Sequence, residues 1–262
     1  MSKLSRREYM QGLLAAAAAA AAPGVSAGAP EPRPHPGQKG SAQGGERITI
    51  CLIWGDQNPH RVKLSEQIGV THAIAGTAGP LSRVPRSQYV DTVAKIKADY
   101  EAAGLTIAGI ESHPVPANKI KLGLPGRDEE IENYIAAIEA LGKVGIPMVC
   151  YDFMAGIDWD RTNMHLPGRG GAMTMSFDIE DSKKQGLTQW GRISEEQMWQ
   201  NIEYFQKAVI PAAEKAGVKM ALHPDDPPVP ELRGIARIII NAKNYRRVMY
   251  FVPSPLNGVT FE

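Results

Sequence analysis

Cysteine is scarce. The 262 residues include two, Cys51 and Cys150, and no C-x-x-C spacing, so a thiolate zinc site has no support. Each lies inside an apolar run, which predicts buried thiols on neighbouring strands rather than a disulfide. An excess of one charge is also lacking. Lys and Arg number 29 against 28 Asp and Glu, a formal net charge of +1, which gives no electrostatic basis for nucleic acid as a partner. No G-x-G-x-x-G follows the first apolar run, which argues against a dinucleotide-binding fold. The alanine run Ala15 to Ala22 is too short and too weakly apolar to span a membrane stably. What remains is a composition ordinary for a soluble globular protein, 43% hydrophobic and 22% charged, with enough chain for one large α/β domain or two small ones.

The first 46 residues differ in kind from the rest. Ser5-Arg6-Arg7-Glu8-Tyr9-Met10 precedes Gly12-Leu13-Leu14 and the alanine run, Pro23 ends the run, and Val25 to Ala29 supplies small residues for cleavage. A charged start, a short apolar segment and an A-x-A-like site read as a signal peptide over residues 1–29, and the paired arginines resemble a twin-arginine export signal. The expected location is periplasmic or extracellular, or cytoplasmic where the signal is not used. A Pro/Gly/Ser-rich linker covers 30–46, and the folded domain is expected over 47–262.

From there apolar, β-branched runs alternate with helical periodicities. Strands are expected at 48–53, 71–75, 105–110, 146–151 and 218–222. Helices are expected over 61–69, over 87–103 with Ser87 as N-cap, over a segment capped by Asp128, and from the Ser194-Glu195-Glu196-Gln197 box to about Ala216. Such β-α units predict a parallel sheet with right-handed crossovers. Acids and histidines at the strand ends suit a (β/α)8 barrel. Trp54-Gly55-Asp56, Glu111-Ser112-His113, Asp152 with Asp158 to Arg161, and His223-Pro224-Asp225-Asp226 would all reach one edge. The last of these follows the apolar run Val218 to Leu222 and contains prolines that stop both strand and helix, so its histidine and two carboxylates sit on a stiff loop. A long Gly-rich insertion over 162–192 suggests a lid, or an arm for homo-oligomer contact.

Several ordered stretches carry a family resemblance: Ile120 to Asp128 (I-K-L-G-L-P-G-R-D), Val149-Cys150-Tyr151-Asp152-Phe153-Met154, Asp158-Trp159-Asp160-Arg161-Thr162, His223 to Pro228 (H-P-D-D-P-P) and Ser254-Pro255-Leu256-Asn257-Gly258. Together they resemble the mannonate dehydratase family, from about residue 48 to the last residue. The resemblance implies a xylose-isomerase-like TIM barrel and a hydro-lyase that converts D-mannonate, a small sugar acid, to 2-keto-3-deoxy-D-gluconate with a divalent metal, Mn²⁺ or Fe²⁺. Such a metal would bind the carboxylate and a hydroxyl and stabilise the enediolate as a Lewis acid.

By the same resemblance His223 matches a metal-ligand histidine, and Glu262 stands near the position of the family's cysteine ligand, as an oxygen ligand or as a residue left there by truncation. The family's remaining ligands and its acid and base would lie beyond Glu262. About five strands and the start of a sixth are present where the barrel has eight, so the expected fold is α/β, an incomplete (β/α)8 barrel lacking its last strands. Arg161 is placed either to hold the substrate carboxylate with its bidentate fork or to make a surface ion pair. Asp225 would orient the imidazole, bind substrate hydroxyls or cap the next segment. His113 would contact substrate or serve as a satisfied structural group. Two departures stand out: Asp152 lies where many relatives have Asn, and His113-Pro114-Val115-Pro116 moves a histidine that relatives place a few residues later. Two rival readings are another metal-dependent sugar isomerase or epimerase of the same barrel class, and a truncated, non-catalytic product.

Overall fold

Each expected apolar run becomes a strand of one parallel sheet in the computed structural model, which describes residues 48–53 and 58–261. The stretches expected to be a signal peptide and a linker, together with Trp54-Gly55-Asp56 and Glu262, lie outside the described residues. The strands are β1 (Cys51–Ile53), β2 (His72–Ala75), β3 (Thr106–Glu111), β4 (Met148–Tyr151), β7 (Lys219–Leu222) and β10 (Asn257–Val259), in that spatial order. Each is parallel to its neighbours, so every strand lies beside the next one in chain order, as in a barrel being wound. Parallel pairing puts all the strand C-termini, and the loops that follow them, on one edge.

Two short antiparallel pairs interrupt the winding. β5 (Asn163–Pro167) and β6 (Met173–Ser176) form a hairpin within the expected insertion, and β8 (Glu231–Leu232) pairs with β9 (Ile235–Ala236) after the H-P-D-D-P-P loop. Met164, Leu166, Met173 and Met175 of the first hairpin are exposed. A helix, Ile179–Lys184, follows it, with Asp178 accepting from the backbone N–H groups of Glu180 and Asp181.

The connecting helices are α1 (Pro59–Ile68), α2 (Ala78–Leu81), α3 (Tyr89–Ala102), α4 (Asn118–Leu122), α5 (Arg127–Val144), α6 (Ile179–Lys184), α7 (Glu195–Ala216) and α8 (Ala242–Met249). The longest, α7, starts as its sequence predicts: Ser194 Oγ accepts from Gln197 N while the Gln197 side chain accepts from Ser194 N. Met198, Ile202, Phe205, Val209 and Ala213 repeat at helical spacing and are buried. Gly217, at φ 71°, turns the chain into β7. A Cβ on Gly142 of α5 would collide with the carbonyl oxygen of Ala216, so glycine lets these two helix ends approach closely.

Three local expectations need correction. Ser87 does not cap α3: it lies in a 3₁₀ turn, Arg86–Gln88, and Gln88 precedes the helix without a side-chain cap. Asp128 does not cap α5: Gly126 takes that position at φ 86°, and Asp128 joins Glu129 and Glu130 in the first turn, where carboxylates favour the helix dipole. Glu130 instead accepts from the backbone N–H groups of Lys119 and Ile120 at the start of α4. Finally, Cys51 on β1 and Cys150 on β4 are not on neighbouring strands, because β2 and β3 lie between them. Neither is in a disulfide, and the Cys150 sulfur meets Thr260 Oγ1 at 3.0 Å.

Candidate active-site edge

Strand β3 ends at Glu111, and Ser112 then adopts φ 63°, a left-handed conformation that costs a non-glycine residue energy. That turn carries His113 into the interior, where Nδ1 meets the Tyr134 hydroxyl at 3.2 Å and Nε2 lies 3.6 Å from Asp152 Oδ2. Strand β4 ends at Tyr151 and delivers Asp152 to the same place. Lys121, from α4, donates through Nζ to Asp152 Oδ1 at 3.2 Å and to Asp158 Oδ1 at 3.1 Å. Met154 N donates to Asp152 Oδ1 at 2.9 Å. A buried carboxylate thus faces an ammonium from α4 and an imidazole from the loop after β3.

Burial pushes the Asp152 carboxyl up, but the His113 imidazole, the Lys121 ammonium and the Met154 N–H outweigh it and hold the group well below the usual carboxylate range. At neutral pH Asp152 is a fixed negative charge and not a proton carrier. Its contribution to stability is fully present above the unfolded value of about 3.9 and is lost as pH falls below that toward the folded value. Asp225 has the opposite sign. Burial raises its carboxyl against the pull of Arg237 and the N–H groups of Ile239 and Ile238, so its contribution declines as pH rises from about 3.9 through the folded value. Urea melts between pH 7 and 3 are therefore expected to show a loss of stability below about pH 4 that Asp152→Asn flattens. An unchanged acid limb in that variant would mean that other carboxylates govern it.

The loop after β7 is fastened at both ends. His223 N donates to Tyr151 O at 2.7 Å, which sets His223 beside the start of the Asp152 loop. Its ring Nδ1 lies 2.6 Å from the Pro224 carbonyl, the arrangement in which Nε2 is the acceptor nitrogen. The Asp226–Pro227 bond is cis. Asp225, 2% exposed, accepts from Ile239 N through Oδ2 at 2.8 Å, and its N donates to Ile239 O at 2.9 Å. These two bonds anchor the buried Asp225 to the segment at Ile239.

Arg161 does not present a fork for a ligand. Its Nη1 and Nη2 close on the two carboxylate oxygens of Asp226 at 2.8 and 2.7 Å. That pair ties the loop after β4 to the loop after β7. Two cations that the sequence reading did not single out are buried at the edge instead, Lys121 and Arg237. Arg237 Nη2 donates to the carbonyls of Ile157 and Asp158 at 2.7 and 2.9 Å. Each stands in an apolar setting, Lys121 between Ile120 and Leu122 and Arg237 inside Ile235 to Ile240, and a lone cation in such a run was the available signal. The buried atoms His113 Nε2, Asp225 Oδ1 and Arg237 Nε and Nη1 have no hydrogen-bond partner among the described residues.

Among the described residues no three His, Cys, Asp or Glu side chains converge as a metal site. The His223 tautomer suits a metal ligand through Nε2, but Asp225 and Asp226 are committed elsewhere, and Glu262 is outside the described residues. The described residues therefore do not by themselves make the site that Mn²⁺ or Fe²⁺ requires. No helix among them is long and apolar enough to cross a membrane.

The sequence model of one family, D-mannonate dehydratase (UxuA), matches residues 48–190 and 180–262. The mannonate dehydratase of Streptococcus equi subsp. zooepidemicus is 39% identical over 221 residues, which covers 74% of this chain and 60% of that protein. The one from Thermotoga petrophila is 37% identical over 247 residues, covering 82% and 68%. The crystal structure of mannonate dehydratase from Streptococcus suis serotype 2 superposes with a TM-score of 0.68 at 35% identity, over 82% of this chain and 63% of that one. A D-psicose 3-epimerase from Clostridium cellulolyticum H10 superposes at 0.50 with 13% identity, a likeness of fold alone. The chain thus spans from 60% to 68% of the length of these mannonate dehydratases. With a parallel β/α edge already carrying His223, Asp152 and Lys121, and the family's motifs matched from residue 48 onward, the chain belongs to the D-mannonate dehydratase family.

Proposed function

We propose that the protein is a hydro-lyase that removes water from D-mannonate to give 2-keto-3-deoxy-D-gluconate, and that it uses a divalent cation, Mn²⁺ or Fe²⁺. The observation that carries this reading is the match to a solved mannonate dehydratase over 82% of this chain, at 35% identity and a TM-score of 0.68. His223 is the ligand this chain offers to the cation, with further donors outside the described residues.

The reaction takes a proton from the carbon next to the carboxylate and releases the 3-hydroxyl as water. The chain's own residues prepare that chemistry in two ways. The Asp152 charge, kept ionised by Lys121 and His113, fixes the electrostatics of the edge without exchanging protons. The Arg161–Asp226 pair and the Arg237 contacts hold the loops after β4 and β7 in one arrangement, so substrate meets a preformed surface.

The test is incubation of the full chain with D-mannonate. Formation of 2-keto-3-deoxygluconate with added Mn²⁺ is expected, with loss on chelation and in His223→Ala. Epimerisation or isomerisation of a ketose, with no dehydration of D-mannonate, would overturn the reading.

A further inference from the structure

The geometry points to Lys121 as the residue that takes the carboxylate of the bound sugar acid, with Asp158 holding that place until the ligand displaces it. This rests on the proposed function, since it names how a site for sugar acids recognises the acid group.

Lys121 and Arg237 are the two buried cations among the described residues. Arg237 fastens the loop main chain at Ile157 and Asp158 through Nη2 alone, and its Nε and Nη1 have no hydrogen-bond partner among the described residues. The two carboxylates that hold Lys121 are unequal. The Asp152 side chain is buried and strongly held, whereas that of Asp158 is 72% exposed at 3.1 Å from Nζ. A buried ammonium is thus joined to one permanent internal partner and one partner that sits in water.

Breaking the outer contact is cheap for Asp158, because its carboxylate is already largely hydrated. For Lys121, 3% exposed, losing the outer partner is unfavourable unless another anion replaces it. Arg237 holds the Ile157 and Asp158 carbonyls, so the Asp158 side chain can turn away while its main chain stays in place. A monocarboxylate arriving from solvent then restores the charge balance that Asp158 provided. A neutral sugar or polyol cannot do so. The exchange selects for aldonic acids over ketoses, and it occurs beside Asp152, next to the residue whose carbonyl holds His223 N.

The experiment is calorimetric titration of the full chain and two variants with D-mannonate, with D-mannitol as the polyol lacking the acid group. Asp158→Asn removes the competing charge and is expected to tighten D-mannonate binding by about 5- to 10-fold, while Lys121→Met weakens it by more than about 10-fold, the scale of one charged hydrogen bond. Binding of D-mannitol should not respond to either change. Asp158→Asn alters an exposed side chain, so its result stands whether or not Lys121→Met folds. D-gluconate and D-galactonate are titrated alongside. If one of these binds in place of D-mannonate with the same response to both variants, the Lys121 assignment holds and the substrate assignment fails. Unchanged or weaker D-mannonate binding by Asp158→Asn, wild-type affinity in a folded Lys121→Met, or no binding of any of the three acids to the unaltered chain would overturn it.

Discussion

Replacing Asp152 with alanine is expected to destabilise the fold by about 3–5 kcal/mol, the usual cost of removing one member of a buried ion pair. Lys121 would keep its charge in an almost fully buried position, and among the described residues a mostly exposed carboxylate would be its only remaining ion-pair partner. Met154 N would lose its acceptor, and His113 would lose the carboxylate facing its Nε2. Asp152→Asn retains an acceptor and should cost less. The pair Asp152→Asn with Lys121→Met should recover much of the loss, because exchanging both members of a buried pair for neutral groups is often close to neutral. Urea unfolding midpoints at constant slope measure all of these. Independent, additive effects of the two substitutions would show that the pair is not the coupled unit described here.

The second large effect is expected at Phe205, in the middle of α7. Its ring meets Tyr134 edge-on at 5.1 Å between centroids, Tyr151 at 5.5 Å and Phe153 at 5.9 Å. Truncation to alanine empties the centre of this cluster and should cost about 3–5 kcal/mol. The damage should also reach the edge. Tyr151 and Phe153 flank Asp152 in sequence, and the Tyr134 hydroxyl meets His113. Phe205→Leu, which refills most of the volume, is therefore expected to retain ligand binding better than its stability alone would suggest, whereas Phe205→Ala loses both. A fully stable Phe205→Ala chain would mean that the cluster collapses around the gap at little cost.

The helix–strand alternation was legible because the first five strands of the main sheet lie in short, largely apolar runs set between helical periodicities, whereas β10, Asn257-Gly258-Val259, is not such a run. The start of α7 was legible because a capping box is local chemistry within four residues. The caps of α3 and α5 were misplaced for a related reason. Ser87 and Asp128 are good cap residues, yet a 3₁₀ turn and a left-handed glycine took over those starts. The β8–β9 pair joins two residues to two and leaves no periodicity to detect.

At the edge, sequence placed the right strand ends but not their pairings. The Arg161 fork is taken by Asp226, 65 positions away, and Lys121 meets Asp152 across 31. Such contacts depend on which loops the sheet brings together and not on the composition of either loop. Asp152 and His113 face each other at 3.6 Å, a contact that neither stretch discloses alone. Glu262, the proposed oxygen ligand, lies outside the described residues.

The central claim is that a sugar acid binds at the C-terminal edge of the parallel sheet, around Asp152. Backbone amide shift mapping of the full chain during titration with D-mannonate tests it most directly. The predicted result is a set of perturbed amides at Glu111 to His113, at Lys121, from Asp152 to Arg161 and from His223 to Asp226. Perturbations confined to the strand N-termini or to the exposed hairpin of β5 and β6, with that edge silent, would contradict it.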